Sequence, residues 1–235
     1  MQAIIIAGGE GRRMLPLTEE IPKLLLPFNG IPLIEYLIRL LKNYGIKDII
    51  ICTGYLSNKV NEYLLDKNYG INIRISVENK PLGTAGALNL IKDHLEEEFF
   101  ILFGDIYAEI DLEEMLKFHE QKNADATLVI HESNHPWDST IISVDNDSKI
   151  TNFLEKPNEE WIKYGNLTST SIYLVKKDII NFIETDKKLD LSKDIFPLML
   201  KNNKKLYGYK TGEYVKDTGT LERHEEVERY LASKK

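Results

Sequence analysis

The sequence feature that most constrains the fold is a glycine-rich loop directly after the first apolar run. Residues 3–7 (AIIIA) are continuously apolar and rich in β-branched side chains, which is typical of a strand buried on both faces. Ala7 is followed by Gly8, Gly9 and Gly11, and glycine lets the backbone turn sharply and approach a ligand closely. The pattern predicts a buried strand that runs into a binding loop.

The same loop carries cations suited to phosphate. Arg12 and Arg13 offer planar guanidinium groups, and Lys23 offers a compact ammonium group. Consecutive amides of such a loop can form an anion cradle. The spacing matches neither GxxxxGK[ST] nor GxGxxG, and the glycines alone favour a simple turn with surface cations. A phosphate-binding loop is therefore one of two interpretations of these residues.

The order of apolar runs predicts an α/β fold. In the first part of the chain, short strands alternate with helices, which indicates βαβ units and a largely parallel sheet. From residue 126 the strands follow one another without long helices, which indicates a mixed or antiparallel arrangement. We expect one domain with a Rossmann-like, doubly wound mixed sheet and two functional halves, residues 1–125 and 126–235. The predicted strands are 3–7, 47–53, 71–77, 98–103, 127–131, 140–144, 150–154, 168–175, 205–209 and 214–216, and the predicted helices are 31–44, 59–67, 84–94, 111–122, 177–183, 193–202 and 220–232.

Composition excludes several classes of protein. The net charge of −7 over 235 residues argues against a general binder of nucleic acid or membrane surfaces, so anions must be bound by locally placed cations. Cys52 is the single cysteine and lies in an apolar run, which predicts a buried hydrophobe. The chain shows neither an 18-residue apolar span nor a signal peptide, so we expect a cytoplasmic protein. The five histidines show no metal-ligand spacing and are expected at the surface or in turns.

Two aspartates stand where predicted strands end. Asp105 follows FFILFG, and the carboxyl ends of strands in open α/β sheets line the ligand crevice. Asp217 lies in YVKDTGT before the last helix. Each is also compatible with an ordinary turn or helix-entry aspartate. Two carboxylates together with a triphosphate would suit Mg²⁺, which prefers oxygen ligands.

A second loop, residues 78–87 (ENKPLGTAGA), joins a predicted strand to a predicted helix. Small residues let a flat base lie against the backbone, whose amides and carbonyls can read the edge of the base. The same loop is also compatible with a plain connection in which Thr84 is the N-cap of the helix. The two interpretations can hold together.

The whole of segment 3–27 closely resembles the signature of the sugar-1-phosphate nucleotidyltransferases, roughly AGGxGTRLxPLTxxxPKxLxP. Arg12 stands where that family usually has threonine, and Met14 where it has leucine. The resemblance extends to about residue 222 and is marked by the segments GD, PLGTAGA, EKP and DTGT. The matching residues of the first motif are Gly8, Gly9, Gly11, Arg13, Pro16, Leu17, Thr18, Pro22, Lys23, Leu25 and Pro27.

The resemblance implies roles for these residues. Asp105 and Asp217 are implied to hold Mg²⁺, and Arg13 and Lys23 to hold and activate the triphosphate. Lys156, which follows Glu155 in EKP, is implied to contact the phosphate of the sugar. PLGTAGA resembles the base-reading loop of the guanylyltransferase branch. The residues implied to contact the nucleotide are Ala7, Gly8, Gly9, Gly11, Arg12, Arg13, Glu78, Pro81, Gly83, Thr84 and Gly86.

The part expected to bind the sugar departs from many relatives. The segment HPWDS, with Asp138 and Ser139, is similar to the HPxDS of heptose-1-phosphate guanylyltransferases. Where relatives have Asn-Ala-Gly-Ile-Tyr, this chain has Ser169, Thr170 and Ser171 before Ile-Tyr. Their hydroxyl groups are candidates for binding a sugar, and they also suit a strand surface.

The resemblance implies transfer of a nucleotidyl group from a nucleoside triphosphate, with GTP favoured, to heptose 1-phosphate or mannose 1-phosphate, with release of pyrophosphate. Uridylyl or cytidylyl transfer to another sugar phosphate is one alternative. A catalytically silent regulatory subunit that binds nucleotide sugars is another, although such a subunit need not keep both metal carboxylates. Short relatives are often homodimers, so a homodimer is also expected.

Overall fold

The computed structural model describes residues 1–133, 136–155 and 161–234. The chain divides into two compact units. The first unit comprises Met1–Pro81, Leu102–Ile110 and Glu213–Lys235, and the second comprises Leu82–Ile101 and Asp111–Gly212. These units interleave along the chain, whereas the sequence predicts two functional halves that meet near residue 125. That functional division stays a prediction.

The strands of the described residues include those that the sequence predicts, within a few residues, and three short ones that it does not predict. They are β1 (Gln2–Ala7), β2 (Pro27–Phe28), β3 (Ile31–Pro32), β4 (Asp48–Thr53), β5 (Asn72–Val77), β6 (Glu98–Phe103), β7 (Ile106–Ala108), β8 (Ala126–Glu132), β9 (Ile141–Val144), β10 (Ile150–Leu154), β11 (Leu167–Lys176), β12 (Leu206–Lys210) and β13 (Val215–Asp217).

The α-helices are mostly those expected, with shorter ends. They are α1 (Leu33–Asn43), α2 (Ser57–Leu65), α3 (Gly83–Leu90), α4 (Leu112–Lys122), α5 (Trp161–Tyr164), α6 (Phe196–Lys201) and α7 (Leu221–Ala232). Asp111 caps α4, since its carboxylate accepts hydrogen bonds from the amides of Glu113 and Glu114.

The first unit is built on parallel strands. β1 pairs with β4, and β4 pairs with β5, both in parallel. Ile5 and Ile51 are opposite each other in this register and are fully buried. Continuous β-branched runs suit strands that are covered on both faces, which is why the sequence predicts β1 and β4 correctly.

A hydrophobic cluster fixes α7 in the first unit. Phe28, Leu33, Tyr107 and Val227 form a buried group, with partly buried tyrosines packed against it. Burying a large apolar side chain contributes about 1.5–3 kcal/mol, so this contact firmly sets the position of α7.

The short strand β7, which the sequence does not predict, pairs antiparallel with β13. Asp217 lies opposite Ile106 in the register. The amide and hydroxyl groups of Thr218 both donate to the carbonyl oxygen of Asp105, at 2.7 and 2.9 Å. Two strands of three residues each are too short to show a periodic pattern, yet their pairing brings two distant stretches of sequence together.

The second unit has the mixed pairing expected from its sequence. β11 is antiparallel to β8, β12 is parallel to β8, and β9 and β10 form an antiparallel pair. The register of β11 shifts between Ser169 and Tyr173, and Ser171 has a φ of +64°. A bulge therefore interrupts β11.

Three predicted helices of the second unit differ in the structure. Helix 84–94 ends at Leu90 and is followed by a separate 3₁₀ turn. The segment Lys177–Phe182 is a 3₁₀ helix, and predicted helix 193–202 is a π-helical turn, Leu191–Ile195, followed by α6. Pro197 explains the last break, because proline has no N–H to continue the bonding pattern of the preceding turn.

Of the four histidines among the described residues, two are buried, which corrects the expectation that all five lie at the surface or in turns. His119 is 1% exposed and His224 is 9% exposed. His119 follows Leu112 and Met115 on the inner face of α4, and His224 shares the inner face of α7 with Val227. The helical spacing of these neighbours was the signal in the sequence.

Two other expectations concern Cys52 and membrane spans. Cys52 is buried as predicted, and burial raises the pKa of its thiol to about 12, so it is unreactive. Among the helices of the described residues, none has the length and apolarity needed to cross a membrane.

Candidate active site

Lys23 and Asp105 form an ion pair in the first unit. Lys23 Nζ lies 2.9 Å from Asp105 Oδ2, and the two side chains are 16% and 26% exposed. Lys23 starts a single 3₁₀ turn directly after Pro22, whose fixed φ sets the direction of the chain. The structure thus brings two predicted site residues, 82 positions apart, into direct contact.

Gly219 shows that Asp217 and Arg13 belong to the same place. A Cβ atom added at Gly219 would lie 2.7 Å from Asp217 Oδ1, 2.9 Å from Arg13 Nη2 and 3.5 Å from Lys23 Nζ. A side chain at this position would force Asp217 or Arg13 to shift. Gly219 is not among the site residues predicted from the sequence, although its place in DTG after a strand is a signal for it.

Arg223 is a further residue that the sequence analysis missed. Its Nη1 atom lies 2.7 Å from Asp217 Oδ2, and it projects from the first turn of α7. No motif in the sequence marks it. We call Arg13, Lys23, Asp105, Asp217 and Arg223 the charged cluster. Its three cations exceed its two carboxylates, which makes it suited to an anionic ligand.

The glycine loop is shaped by its own packing. Gly11 has a φ of +70°, and a Cβ there would lie 2.8 Å from the Thr18 side chain. The hydroxyl group of Thr18 donates to the carbonyl oxygen of Gly11 at 2.9 Å, which closes the loop. This position needs glycine for its backbone conformation.

Glu78 lies against the glycine loop. A Cβ at Gly8 would be 2.2 Å from Glu78 Oε1, and a Cβ at Gly54 would be 2.9 Å from the same atom. Gly8 and Gly54 therefore leave the space that the Glu78 carboxylate occupies. Gly54 is another residue that the sequence analysis did not single out.

The two adjacent arginines of the loop have different surroundings. Arg12 is 82% exposed and its Nε atom lies 2.6 Å from the carboxylate of Glu10, which raises the pKa of Arg12. Arg13, by contrast, approaches Gly219. The predicted contact of Arg12 with nucleotide stays a prediction, whereas Arg13 lies within the charged cluster.

The predicted base-reading loop has a structural reason for its small residues within the second unit. A Cβ at Gly83 would lie 2.3 Å from the carbonyl oxygen of Leu189, and one at Gly86 would lie 2.8 Å from that of Lys187. Gly83 also has a φ of +73°. These glycines let the start of α3 pack against residues 187–191.

Thr84 is not the N-cap of α3, which corrects that interpretation. The helix begins at Gly83, and no side chain caps its N-terminus. The hydroxyl of Thr84 instead donates to Asp190 Oδ2 at 3.0 Å and accepts from the amide of Leu191 at 2.8 Å. Thr84 therefore binds another segment of its own unit. Pro81, the first residue of PLGTAGA, is exposed. It belongs to the first unit, whose segment Met1–Pro81 ends with it.

The predicted sugar-binding hydroxyls lie at the bulge of β11. Ser169 Oγ donates to the Tyr173 hydroxyl at 3.2 Å, which lies 3.1 Å from Ser192 Oγ. We call Ser169, Tyr173 and Ser192 the hydroxyl cluster. Thr170 is 9% exposed and lies 3.4 Å from the carbonyl oxygen of Val129. These hydroxyls bond within the protein.

The other residues predicted to bind the sugar phosphate lie at exposed or turn positions or outside the described residues. Glu155 is exposed at the end of β10, and Ser139 is partly exposed after the 3₁₀ turn Pro136–Asp138. Asp138 is in that turn. Lys156 and His135 lie outside the described residues.

The charged cluster also bears on the predicted Mg²⁺ site. Within the described ranges, no group of three or more His, Cys, Asp or Glu residues is close enough to hold a metal ion. Asp105 and Asp217 alone would suit Mg²⁺, which commonly takes one or two carboxylates and completes its shell with phosphate oxygens and water. The donors present therefore fit a cation that arrives with a nucleotide.

Comparison with known proteins identifies the family. The family model described as "Nucleotidyl transferase" matches residues 2–234. The chain belongs to the nucleotidyltransferase family. Among curated nucleotidyltransferases, it is 34% identical over 226 residues to a mannose-1-phosphate guanyltransferase of Saccharomyces cerevisiae and 33% identical over 225 residues to that of Yarrowia lipolytica. In both comparisons, the match covers 93% of this chain and 61% of the relative.

Solved structures confirm the fold of this nucleotidyltransferase. HddC from Yersinia pseudotuberculosis superposes with a TM-score of 0.82 at 23% identity, covering 98% of this chain and 99% of that one. The α/β fold predicted from the sequence is therefore correct. The chain spans about three fifths of the length of the curated relatives.

Proposed function

We propose that this nucleotidyltransferase joins a nucleoside triphosphate to a sugar 1-phosphate and releases pyrophosphate. The observation that supports this most is the convergence of Arg13, Lys23 and Asp217 around Gly219, with Lys23 paired to Asp105. A silent binding protein has no need for two carboxylates among phosphate-binding cations.

The reaction requires charge neutralisation and alignment more than a base. An oxygen of the sugar phosphate forms a bond to the α-phosphorus, and the bond from that phosphorus to the β-phosphate bridging oxygen breaks. The attacking phosphate monoester is already an anion, so no proton must be removed from it. Fixed cations that meet the developing charge therefore supply most of the catalysis.

Lys23 and Arg13 have distinct roles in this proposal. Lys23 would turn its ammonium group from Asp105 to the α-phosphate, and Arg13 would hold the outer phosphates with its guanidinium fork. Asp105 and Asp217 would hold Mg²⁺. When bound, that ion would neutralise phosphate oxygens and help to align them.

GTP is the proposed nucleotide, and Glu78 is the residue that supports it. The Watson–Crick edge of guanine carries adjacent N–H donors, and an ionised carboxylate accepts two hydrogen bonds. The Glu78 carboxylate lies over the glycine loop, against Gly8. The curated relatives of Saccharomyces cerevisiae and Yarrowia lipolytica are named guanyltransferases, which agrees with this choice.

The proposed acceptor is a sugar 1-phosphate of the manno series. The names of the curated relatives favour mannose 1-phosphate, whereas the HPWDS segment favours heptose 1-phosphate. Lys156 is proposed to bind the acceptor phosphate, and Asp138, Ser139, Glu155, Ser169 and Thr170 to surround the sugar. The homodimer and the cytoplasmic location stay predictions.

A pyrophosphate-release assay tests the proposal. GTP, CTP, UTP, ATP and dTTP are each combined with heptose, mannose and glucose 1-phosphates in the presence of Mg²⁺. We expect release with GTP and a manno-series acceptor, and we expect Glu78→Gln to reduce the preference for GTP over UTP. Nucleotide binding without release in every combination would instead indicate the silent subunit or an acceptor other than these three sugar phosphates.

A further inference from the structure

Arg223 and Gly219 together hold the carboxylate of Asp217. Arg223 Nη1 lies 2.7 Å from Oδ2, and the backbone amide of Gly219 donates to Oδ1. The side chains of Arg223 and Asp217 are 33% and 44% exposed. Both oxygens of the carboxylate thus have a donor, while the site stays open to solvent and ligands.

The position of Arg223 in α7 is not explained by the helix itself. Thr220 caps α7, and its hydroxyl oxygen lies 3.4 Å from the amide of Arg223, so Arg223 is in the first turn. A cation in the first turn faces the positive end of the helix dipole and is unfavourable there. The contact with Asp217 compensates this cost.

Asp105 is held in a comparable way by a cation from elsewhere in the first unit. Lys23 Nζ lies 2.9 Å from Asp105 Oδ2. Each of the two proposed metal carboxylates therefore already has a positive partner. A positive charge beside a carboxylate weakens its attraction for a second cation, and an arriving triphosphate reverses this effect because of its negative charge.

We propose that Arg223 is a positioning residue that keeps Asp217 ion-paired until a nucleoside triphosphate brings a divalent cation into the site. The nucleotide-free protein then binds divalent cations weakly, and the metal enters together with the nucleotide. This inference rests on the proposed function, since it takes Asp105 and Asp217 as the carboxylates that hold the ion.

The test is titration of the nucleotide-free full chain with Mn²⁺, with free Mn²⁺ measured by electron paramagnetic resonance. Removing a unit charge this close to a partly exposed carboxylate corresponds to about a tenfold change in cation affinity. We therefore expect Arg223→Gln to bind Mn²⁺ about tenfold more tightly than the wild type. Arg223→Lys keeps the charge and should restore affinity close to that of the wild type. Adding Asp217→Asn to Arg223→Gln should abolish the gain.

Lys216→Gln is the matched control. Lys216 adjoins Asp217 and pairs with Glu226 of α7 at 2.6 Å, so this variant makes the same change in net charge and also breaks an ion pair to α7. We expect its Mn²⁺ affinity to equal that of the wild type. The proposal is overturned if Arg223→Gln binds Mn²⁺ no more tightly than the wild type, including if neither binds it measurably. An equal gain in Lys216→Gln would also overturn it.

The outcome is separable from that of the proposed function. Pyrophosphate release by the wild type, without tighter Mn²⁺ binding in Arg223→Gln, leaves the enzyme assignment standing and removes the role of Arg223. Tighter Mn²⁺ binding in that variant, without release from any substrate pair, supports the role of Arg223 and removes the assigned reaction.

Discussion

The charged cluster and the hydroxyl cluster show two ways in which a protein satisfies polar groups. In the charged cluster, partly exposed cations and carboxylates pair with each other, as Lys23 does with Asp105. In the hydroxyl cluster, neutral groups bond around Tyr173, which is fully buried. Charges at an open site can exchange partners with a ligand at modest cost, whereas a buried hydroxyl such as that of Tyr173 mainly fixes the shape of the strand that carries it.

This difference predicts that substitutions in the charged cluster change turnover more than stability. Replacing Lys23 by Ala removes a cation proposed to meet the α-phosphate, and replacing Asp105 by Asn weakens the proposed metal site. We expect each change to lower turnover about 10²- to 10³-fold, the usual cost of losing one preorganised group in an active site. The measurement is steady-state pyrophosphate release, together with thermal unfolding.

Lys67→Ala is the control for Lys23→Ala. Lys67 also forms an ion pair in the first unit, with Glu35 at 2.8 Å, and no catalytic role is proposed for it. Its turnover should be normal. If Lys23→Ala and Asp105→Asn keep normal turnover, the charged cluster is not the site of catalysis and the comparison fails.

His119 provides the opposite case, a residue of the second unit expected to affect stability and not turnover. Its side chain is buried and its Nδ1 atom lies 2.8 Å from Thr127 Oγ1. Burial, together with the charge of Lys176, lowers the pKa of His119 from 6.5 to about 4, although Asp125 opposes this shift. The folded protein therefore holds this imidazole neutral under conditions in which the unfolded chain protonates it.

The free energy of unfolding should consequently fall as the pH is lowered from about 6.5 to about 4. The contribution of His119 to this loss is about 3 kcal/mol over the whole interval, and it is absent above pH 6.5. Urea unfolding at several pH values measures it. His119→Gln should show a shallower loss than the wild type, while turnover at neutral pH stays unchanged.

Substitution of His94, an exposed histidine, gives the reference for that experiment. His94→Gln should follow the wild-type pH dependence. If His119→Gln loses stability as steeply as the wild type, protonation of His119 does not contribute to the pH dependence of stability.

Gly219 tests the packing of the charged cluster without removing a charge. A methyl group in Gly219→Ala would be 2.7 Å from Asp217 Oδ1 and 2.9 Å from Arg13 Nη2, so at least one of them must move. Misplacement of catalytic groups by about 1 Å can cost up to about 10²-fold in rate, and we expect a loss of about 10- to 100-fold in kcat/KM.

Gly212→Ala is the control for that substitution, since a Cβ there would meet nothing within 4 Å. It should leave kcat/KM unchanged. Normal activity in Gly219→Ala would mean that Asp217 and Arg13 can shift freely, and the charged cluster would then be less preorganised than the comparison assumes.

The sequence predicts the fold better than it predicts either cluster. Continuous β-branched runs and helical spacing place most elements within a few residues, because these patterns reflect burial directly. The pairing of β7 with β13 is a contact between distant segments, so no local pattern shows that the stretches carrying Asp105 and Asp217 come together. Arg223 could not be predicted for the same reason, since only the packing of α7 brings it to Asp217.

Ser171 tests whether the bulge beside the hydroxyl cluster carries strain. Its φ is +64°, at a position where relatives with Asn-Ala-Gly-Ile-Tyr have glycine. A residue with a Cβ pays about 1–2 kcal/mol in this conformation, whereas glycine in an extended strand costs about 0.5–1 kcal/mol through its unfolded-state entropy. Ser171→Gly removes the strain of the positive φ but adds the entropy cost of glycine. Ser143→Gly, in β9, adds only the entropy cost. Ser171→Gly should therefore be about 1–2 kcal/mol more stable than Ser143→Gly in urea unfolding. Equal destabilisation by both would show that the Ser171 hydroxyl, which interacts with Tyr173, compensates the strain of the backbone. The hydroxyl cluster would then need serine at this position, just as the charged cluster needs its charges.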